Sequence, residues 1–162
     1  MTTSALDRFK EAQDAPYGGF ATALEELKAG RKRSHWIWYV FPQLSGLGSS
    51  EAARFFGIDG LAEALEYLAD PLLRRRLLAA VEAVAEQVGN NAIPLRTLMG
   101  SEIDAIKLVS SLTLFAHAAN AAAVNEPEAE IVALAALCRD VLGVAAEQGY
   151  PRCRFTLDHI DR

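Results

Sequence analysis

The sequence predicts an all-α fold, a single-domain bundle of about eight helices. Three observations predict it: apolar residues recur at helical spacing along most of the chain, alanine is abundant, and valine, isoleucine and threonine are comparatively scarce. The chain has 162 residues, of which 51% are hydrophobic and 23% charged, the balance of an ordinary globular protein. We therefore expect one hydrophobic core and one domain over residues 1–162.

Residues that favour helix ends divide the chain into predicted helices. Helix starts are indicated by an N-cap before a proline and by two capping boxes: Asp70 with Pro71, Ser101 with Asp104, and Asn125 with Glu128. Helix stops are indicated by three glycines: Gly30, Gly89 and Gly143. The predicted helices are 5–13, 18–29, 34–40, 50–56, 60–69, 71–88, 101–120 and 126–142, with a final turn at 156–160.

Two predicted helix faces follow from the same periodicity. In the helix at 101–120, Ile103, Ile106 and Leu114 fall on one apolar flank. In the helix at 71–88, the run Arg74-Arg75-Arg76 is typical of a solvated side.

Charge and motifs exclude several classes of function. A net charge of −5 and a pI near 5.2 argue against nucleic-acid binding, which depends on neutralising phosphates. No apolar run reaches the roughly 18 residues of a membrane span, and no export signal is present, so we expect a cytoplasmic protein that does not enter a membrane.

The two cysteines and three histidines show no metal-ligand spacing, so neither metal nor cofactor is predicted.

Residues 30–50 carry an unusual density of aromatic and basic side chains, including both tryptophans. One interpretation is a buried aromatic helix of the core. The other is a binding site, in which an indole stacks on a flat ring while Arg31, Lys32 or Arg33 neutralises phosphate. The residues assigned to this site are His35, Trp36, Trp38, Gln43, Gly46, Gly48 and Ser50.

A second polar group interrupts the helix that begins at Ser101. Asp104, Lys107 and Ser111 fall on one side of this helix. One interpretation is a solvated ion pair between Asp104 and Lys107, with serines bonded back to their own helix. The alternative is an anion site in which Lys107 and Ser111 join the residues around His35 in one pocket.

The run His35-Trp36-Ile37-Trp38-Tyr39-Val40-Phe41-Pro42-Gln43, followed by Gly46-Leu47-Gly48 and Ser50, closely resembles the signature of a bacterial family called domain of unknown function 1810. Members of that family have sometimes been labelled calpastatin. The resemblance extends over nearly the whole chain, and it includes Asp70-Pro71-Leu72, Lys107-Leu108 and Ser110-Ser111. It implies an all-helical fold and no established activity.

The sequence therefore predicts a cytoplasmic protein that binds, or acts on, a small anionic, nucleotide-like or phosphorylated ligand around His35–Gln43. The alternative is a structural or protein-interaction domain without a small-molecule site. The two differ in whether the indoles are exposed to a shared hollow or are fully enclosed. Neither interpretation defines a reaction or an oligomeric state.

Overall fold

Ten helices make up the regular structure of residues 4–160, the part of the chain that this computed structural model describes. They are α1 (Asp7–Gln13), α2 (Phe20–Lys28), α3 (Ile37–Val40), α4 (Glu51–Phe55), α5 (Gly60–Ala69), α6 (Pro71–Val88), α7 (Leu95–Met99), α8 (Glu102–Asn125), α9 (Ala129–Glu147) and α10 (Arg154–His159). The all-α prediction is confirmed, with ten helices in this range in place of about eight.

The two longest helices, α8 and α9, pack against each other and form the most extensive helix pair of the bundle. Helix α6 packs against α9 on one side and α2 on another, while α5 lies against α8. The buried hydrophobic residues form one cluster, whose largest fully enclosed side chains include Phe9, Trp36, Tyr67 and Phe115. Each such burial contributes about 1.5–3 kcal/mol before entropy is counted, so this cluster is what holds the helices together.

Helix α7 is absent from the sequence prediction, which places no helix between residues 88 and 101. Its buried residues are Leu95, Leu98 and Met99, and Gly100 ends it in the left-handed conformation at φ 82°. The helix also holds the segment after α2, because the Leu98 carbonyl accepts a 2.7 Å hydrogen bond from the Lys32 N–H. Five residues are too few to show helical periodicity, and burial stabilises them instead.

Helix ends agree with most of the predicted signals. Asp70 accepts from the N–H groups of Leu72 and Leu73, and Ser101 accepts from that of Asp104 at 3.1 Å, so both N-caps are confirmed. The stop at Gly30 is confirmed as well, since this residue follows α2 with φ 87°.

Two predicted ends are wrong. Helix α8 runs through Asn125, and α9 starts at Ala129 after Glu128, so the predicted capping box at Asn125 does not form. Helix α9 also passes through Gly143 and ends only at Glu147. A glycine inside a helix costs about 1 kcal/mol. Burial of Ala145 beyond it favours continuation.

The predicted solvated arginine face is also wrong for two of its three members. Arg74 is buried and its Nε donates to Glu130 at 3.1 Å, while Arg76 pairs with Asp14 at 2.7 Å. Of the three side chains, only that of Arg75 is mostly exposed. Helix α9 and the end of α1 bring carboxylates to this face, which the periodicity of α6 alone does not reveal.

Only one of the three residues on the predicted apolar flank of α8 is buried. Leu114 is fully buried, but Ile103 is 67% and Ile106 is 51% exposed. The core-facing residues at this end of α8 are instead Ala105 and Leu108, which lie on a different side of the helix. No helix of the described residues is long and apolar enough to cross a membrane.

Candidate functional site

Lys107 of α8 and Trp38 of α3 meet in the structure. The Lys107 Nζ lies 4.8 Å from the centre of the Trp38 ring, over its face. This distance is typical of a cation–π contact. Two predicted site residues that lie far apart in the sequence are therefore in contact.

The carboxylate of Asp104 does not pair with Lys107. It forms an ion pair with Lys32 instead, with 2.8 Å between Nζ and Oδ2. No carboxylate of residues 4–160 is paired with Lys107, so its charge is balanced only by the indole face and by solvent. The interpretation of Lys107 as half of a solvated Asp104 pair is thus wrong.

The Lys32 side chain is held by contacts within the chain. It is buried, and its Nζ donates to the Ser34 carbonyl at 2.5 Å as well as pairing with Asp104. The same ammonium lies 5.0 Å from the centre of the Trp36 ring. Of the three basic residues predicted to neutralise phosphate, Arg31 and Arg33 are exposed, while Lys32 is committed to Asp104.

Glu26 of α2 fixes the segment that leads into α3. Its carboxylate accepts from the N–H groups of Arg33 and Ser34 at 2.7 and 2.8 Å, from the Ser34 hydroxyl at 2.5 Å and from Trp36 Nε1 at 2.9 Å. Partial burial raises the pKa of Glu26, but these hydrogen bonds outweigh it and bring the pKa down to about 2. The group is therefore ionised near neutral pH.

The helix predicted at 34–40 is shorter in the structure, where α3 begins only at Ile37. The N–H groups of Arg33 and Ser34, before this start, donate to Glu26. Sequence reasoning missed Glu26. A signal was present, because a carboxylate in the last turn of α2 opposes the helix dipole and needs another reason to be there.

The two indoles have different environments. Trp36 is fully enclosed, and its ring nitrogen is satisfied by Glu26. Trp38 is half-buried, and its ring is the one that the Lys107 ammonium covers. The buried-core interpretation thus describes Trp36, while Trp38 keeps part of its surface exposed.

Three buried side-chain polar atoms of residues 4–160 have no hydrogen-bond partner: Trp38 Nε1, Ser111 Oγ and Thr156 Oγ1. Two of the three belong to predicted site residues. Ser111 lies one helical turn beyond Lys107, on the same side of α8. Leaving such a group unpaired costs about 1–3 kcal/mol.

The neighbouring hydroxyls of α8 are satisfied. Ser110 Oγ donates to the Ile106 carbonyl at 3.0 Å, and Thr113 Oγ1 donates to the Val109 carbonyl at 2.7 Å. Ser111, with the same access to its own helix, makes no such bond. Of these three hydroxyls of α8, that of Ser111 is the unpaired one.

The glycine loop is explained by contacts within the chain. Gly46 has φ 100°, and a Cβ there would lie 2.9 Å from the Phe155 ring of α10, while a Cβ on Gly48 would lie 2.8 Å from that of Ala53. Ser50 caps α4 by accepting from the Ala53 N–H at 3.1 Å. The binding roles of these residues stay predictions.

His35 and Gln43 bracket α3 along the chain. His35 is exposed, and its carbonyl accepts from the Tyr39 hydroxyl at 3.2 Å. Gln43 is buried, and its carbonyl accepts from the Ile58 N–H at 2.9 Å. A hollow of about 700 Å³ between α2, α6 and α9 is lined by none of the predicted site residues.

Comparisons with known proteins support the resemblance found in the sequence. A family model described as protein of unknown function (DUF1810) matches residues 3–131. The crystal structure of the conserved hypothetical protein Rv1873 from Mycobacterium tuberculosis is 38% identical, with a TM-score of 0.72, and the match covers 94% of each chain. No curated protein matches the sequence.

Proposed function

The chain belongs to the family described as protein of unknown function (DUF1810), and we propose that it binds a small anionic ligand with a flat ring where Lys107 of α8 lies over the half-buried Trp38 ring. The observation that carries the proposal is the unpaired ammonium of Lys107 over the Trp38 ring. A cytoplasmic location suits this role and the acidic composition of the chain.

The charge of Lys107 supports an anionic ligand. The adjacent carboxylate that could have neutralised it, Asp104, is taken by Lys32. An ammonium without an ion pair, partly removed from water, is available to a carboxylate or phosphate group. A phosphate monoester fits this arrangement, since one lysine provides a point charge rather than the fork of an arginine.

The indole and the unpaired polar atoms support a ring with hydrogen-bonding edges. The half-buried Trp38 offers a rigid aromatic face, and base stacking on such a face is worth about 1–3 kcal/mol. Trp38 Nε1 is a donor and the Ser111 hydroxyl can both donate and accept, but both atoms are enclosed, so a ligand meets them only if the side chains around them move. A nucleoside monophosphate carries all three matching groups: a flat ring, ring acceptors and a phosphate.

A thermal-shift series tests the proposal. Adenosine 5′-monophosphate, ADP-ribose and ribose 5-phosphate are added separately to the full chain, with adenosine as the uncharged probe. A ligand that binds only the folded state must raise Tm. We expect the monophosphate to raise Tm more than adenosine does, because only the monophosphate meets the Lys107 charge.

Matched variants make the result specific. Lys107→Met keeps the length of the side chain and removes its charge, while Lys28→Met removes an exposed lysine on α2. We expect the first to abolish the Tm shift and the second to preserve it. No shift with any of the four compounds, or equal loss in both variants, would reject the proposed site.

The alternative of a protein-interaction domain is favoured by one observation. Ile103 and Ile106 are exposed near the start of α8, where large apolar side chains gain most from burial in a partner. Self-association is the simplest case. Light scattering on the wild type and on Ile106→Ser checks it, and a monomer in both, at all concentrations, argues against it.

A further inference from the structure

A second hollow, remote in the chain from Trp38, lies between α8 and α9 with a volume of about 320 Å³. This volume falls at the lower end of the range of small-molecule sites. Its floor is made of alanines from both helices, and its polar groups are Asn120, Arg139 and Arg152. We propose that it is a second site, distinct from the face at Lys107, that takes a small organic acid.

The floor follows from the spacing of small residues. Ala116 and Ala123 of α8 lie two turns apart on one stripe, and Ala135 and Ala136 of α9 face them. Methyl side chains on both helices leave unfilled space where larger residues would close it. Val132, which is 48% exposed, adds an apolar wall, so the floor suits a hydrocarbon or aromatic body.

The charge around the hollow has one sign. Two arginines and no acidic residue line it, in a chain whose net charge is −5. Arg152 is exposed and pairs with no carboxylate of residues 4–160. Arg139 contacts the adjacent Asp140 at 3.4 Å, with both side chains well exposed, which leaves most of its donors available.

The position of Arg152 is fixed by its neighbour. The Cys153 N–H donates to Thr113 Oγ1 at 3.1 Å, which attaches this segment to α8 one turn before Ala116. Burial raises the pKa of the Cys138 thiol on α9 to about 12, and the positive charge of Arg152 opposes that rise. The guanidinium therefore lies within electrostatic reach of α9 as well as α8.

These features select the class of ligand. The arginines bind a carboxylate or a similar anion, and the alanine floor accepts the apolar body behind it. The hollow is too small for a large cofactor, and its lining offers no carboxylate to bind a cation.

Titration of the full chain with benzoate, followed by ¹H–¹⁵N NMR, tests this site. We expect benzoate to shift the amides of Ala116, Ala123 and Ala135, and benzyl alcohol, which lacks the charge, to bind at least tenfold more weakly. Arg152→Gln and Arg139→Gln should each weaken benzoate binding severalfold, and the double variant should abolish it. Arg154→Gln removes the same charge from an exposed position outside the hollow and should leave the affinity unchanged.

Three results would overturn the proposal: equal binding of benzyl alcohol, equal loss in Arg154→Gln, or shifts centred on other amides. Lys107→Met separates the two sites, because it should leave benzoate binding at the hollow intact whether or not the nucleotide site exists.

Discussion

The ammonium of Lys107 stands over the face of Trp38, with 4.8 Å between Nζ and the ring centre, although 68 residues separate them in the sequence. Helix α8 brings the lysine, and the short helix α3 brings the indole. The contact depends on Asp104 being paired elsewhere, since a carboxylate three residues away would otherwise compete for the same charge.

Lys107→Met should change the environment of one tryptophan only. We expect the Trp38 indole NMR signal to shift, while that of Trp36, held by Glu26, stays in place. The free energy of unfolding should fall by about 0.5–1 kcal/mol, the usual size of a partly exposed cation–π contact. Equal shifts of both indole signals would contradict the contact.

Ser111→Ala should leave the ligand-free protein as stable as the wild type, or more stable by up to about 1 kcal/mol, because it removes a buried hydroxyl without a partner. Thr113→Val is the matched control. It removes the acceptor of the Cys153 N–H and should cost about 1–2 kcal/mol in urea unfolding. A similar loss in both variants would show that Ser111 is satisfied in solution.

Glu26→Gln should lower the free energy of unfolding by about 1–2 kcal/mol near neutral pH, because an amide nitrogen then faces donors that need an acceptor. Glu25→Gln changes the adjacent exposed carboxylate and should have little effect. If the two variants are equally stable, the Glu26 network does not hold residues 33–36.

The pH dependence of stability gives Glu26 a separate signature. Its pKa is about 2 in the folded chain and near 4.5 when unperturbed, so the unfolded state binds the proton first as pH falls. The stabilisation by Glu26 is complete above pH 4.5 and is lost between pH 4.5 and about 2. The difference in stability between wild type and Glu26→Gln should shrink across that window, and a constant difference would contradict the assignment.

Gly46→Ala should destabilise the protein more than Gly149→Ala does. Both glycines have positive φ, 100° and 93°, so both changes incur the left-handed penalty of about 1–2 kcal/mol. Only at Gly46 would the new Cβ lie 2.9 Å from the Phe155 ring; at Gly149 nothing lies within 4 Å. Thermal unfolding measures the difference, and Phe155→Leu should recover part of it in the Gly46→Ala background.

The candidate site was predictable in part. The density of aromatic residues at 35–43 predicted Trp38 as a site residue, and the polar face of α8 predicted Lys107. These two residues are in contact in the structure. The different fates of the two tryptophans were not predictable. Trp36 and Trp38 are two residues apart, and the enclosed indole is the one whose Nε1 donates to Glu26 of α2.

Charged side chains illustrate the same limit in the fold. Arg74 belongs to an arginine run typical of a solvated face, yet Glu128 and Glu130 of α9 cover it. Lys32 belongs to a basic run, yet Asp104 of α8 binds it. Each pairing joins residues more than 50 positions apart, a distance over which sequence spacing carries no information.

The sequence by itself determined the helical class, most helix ends and part of the core, because these follow from forces that act within about one turn of backbone: propensity, capping and apolar periodicity. The tertiary structure alone decided which charges are paired and which indole stays accessible. Those outcomes depend on which helix faces pack together. The free energy gained by burying apolar surface does not depend on how far apart the two faces are in the sequence.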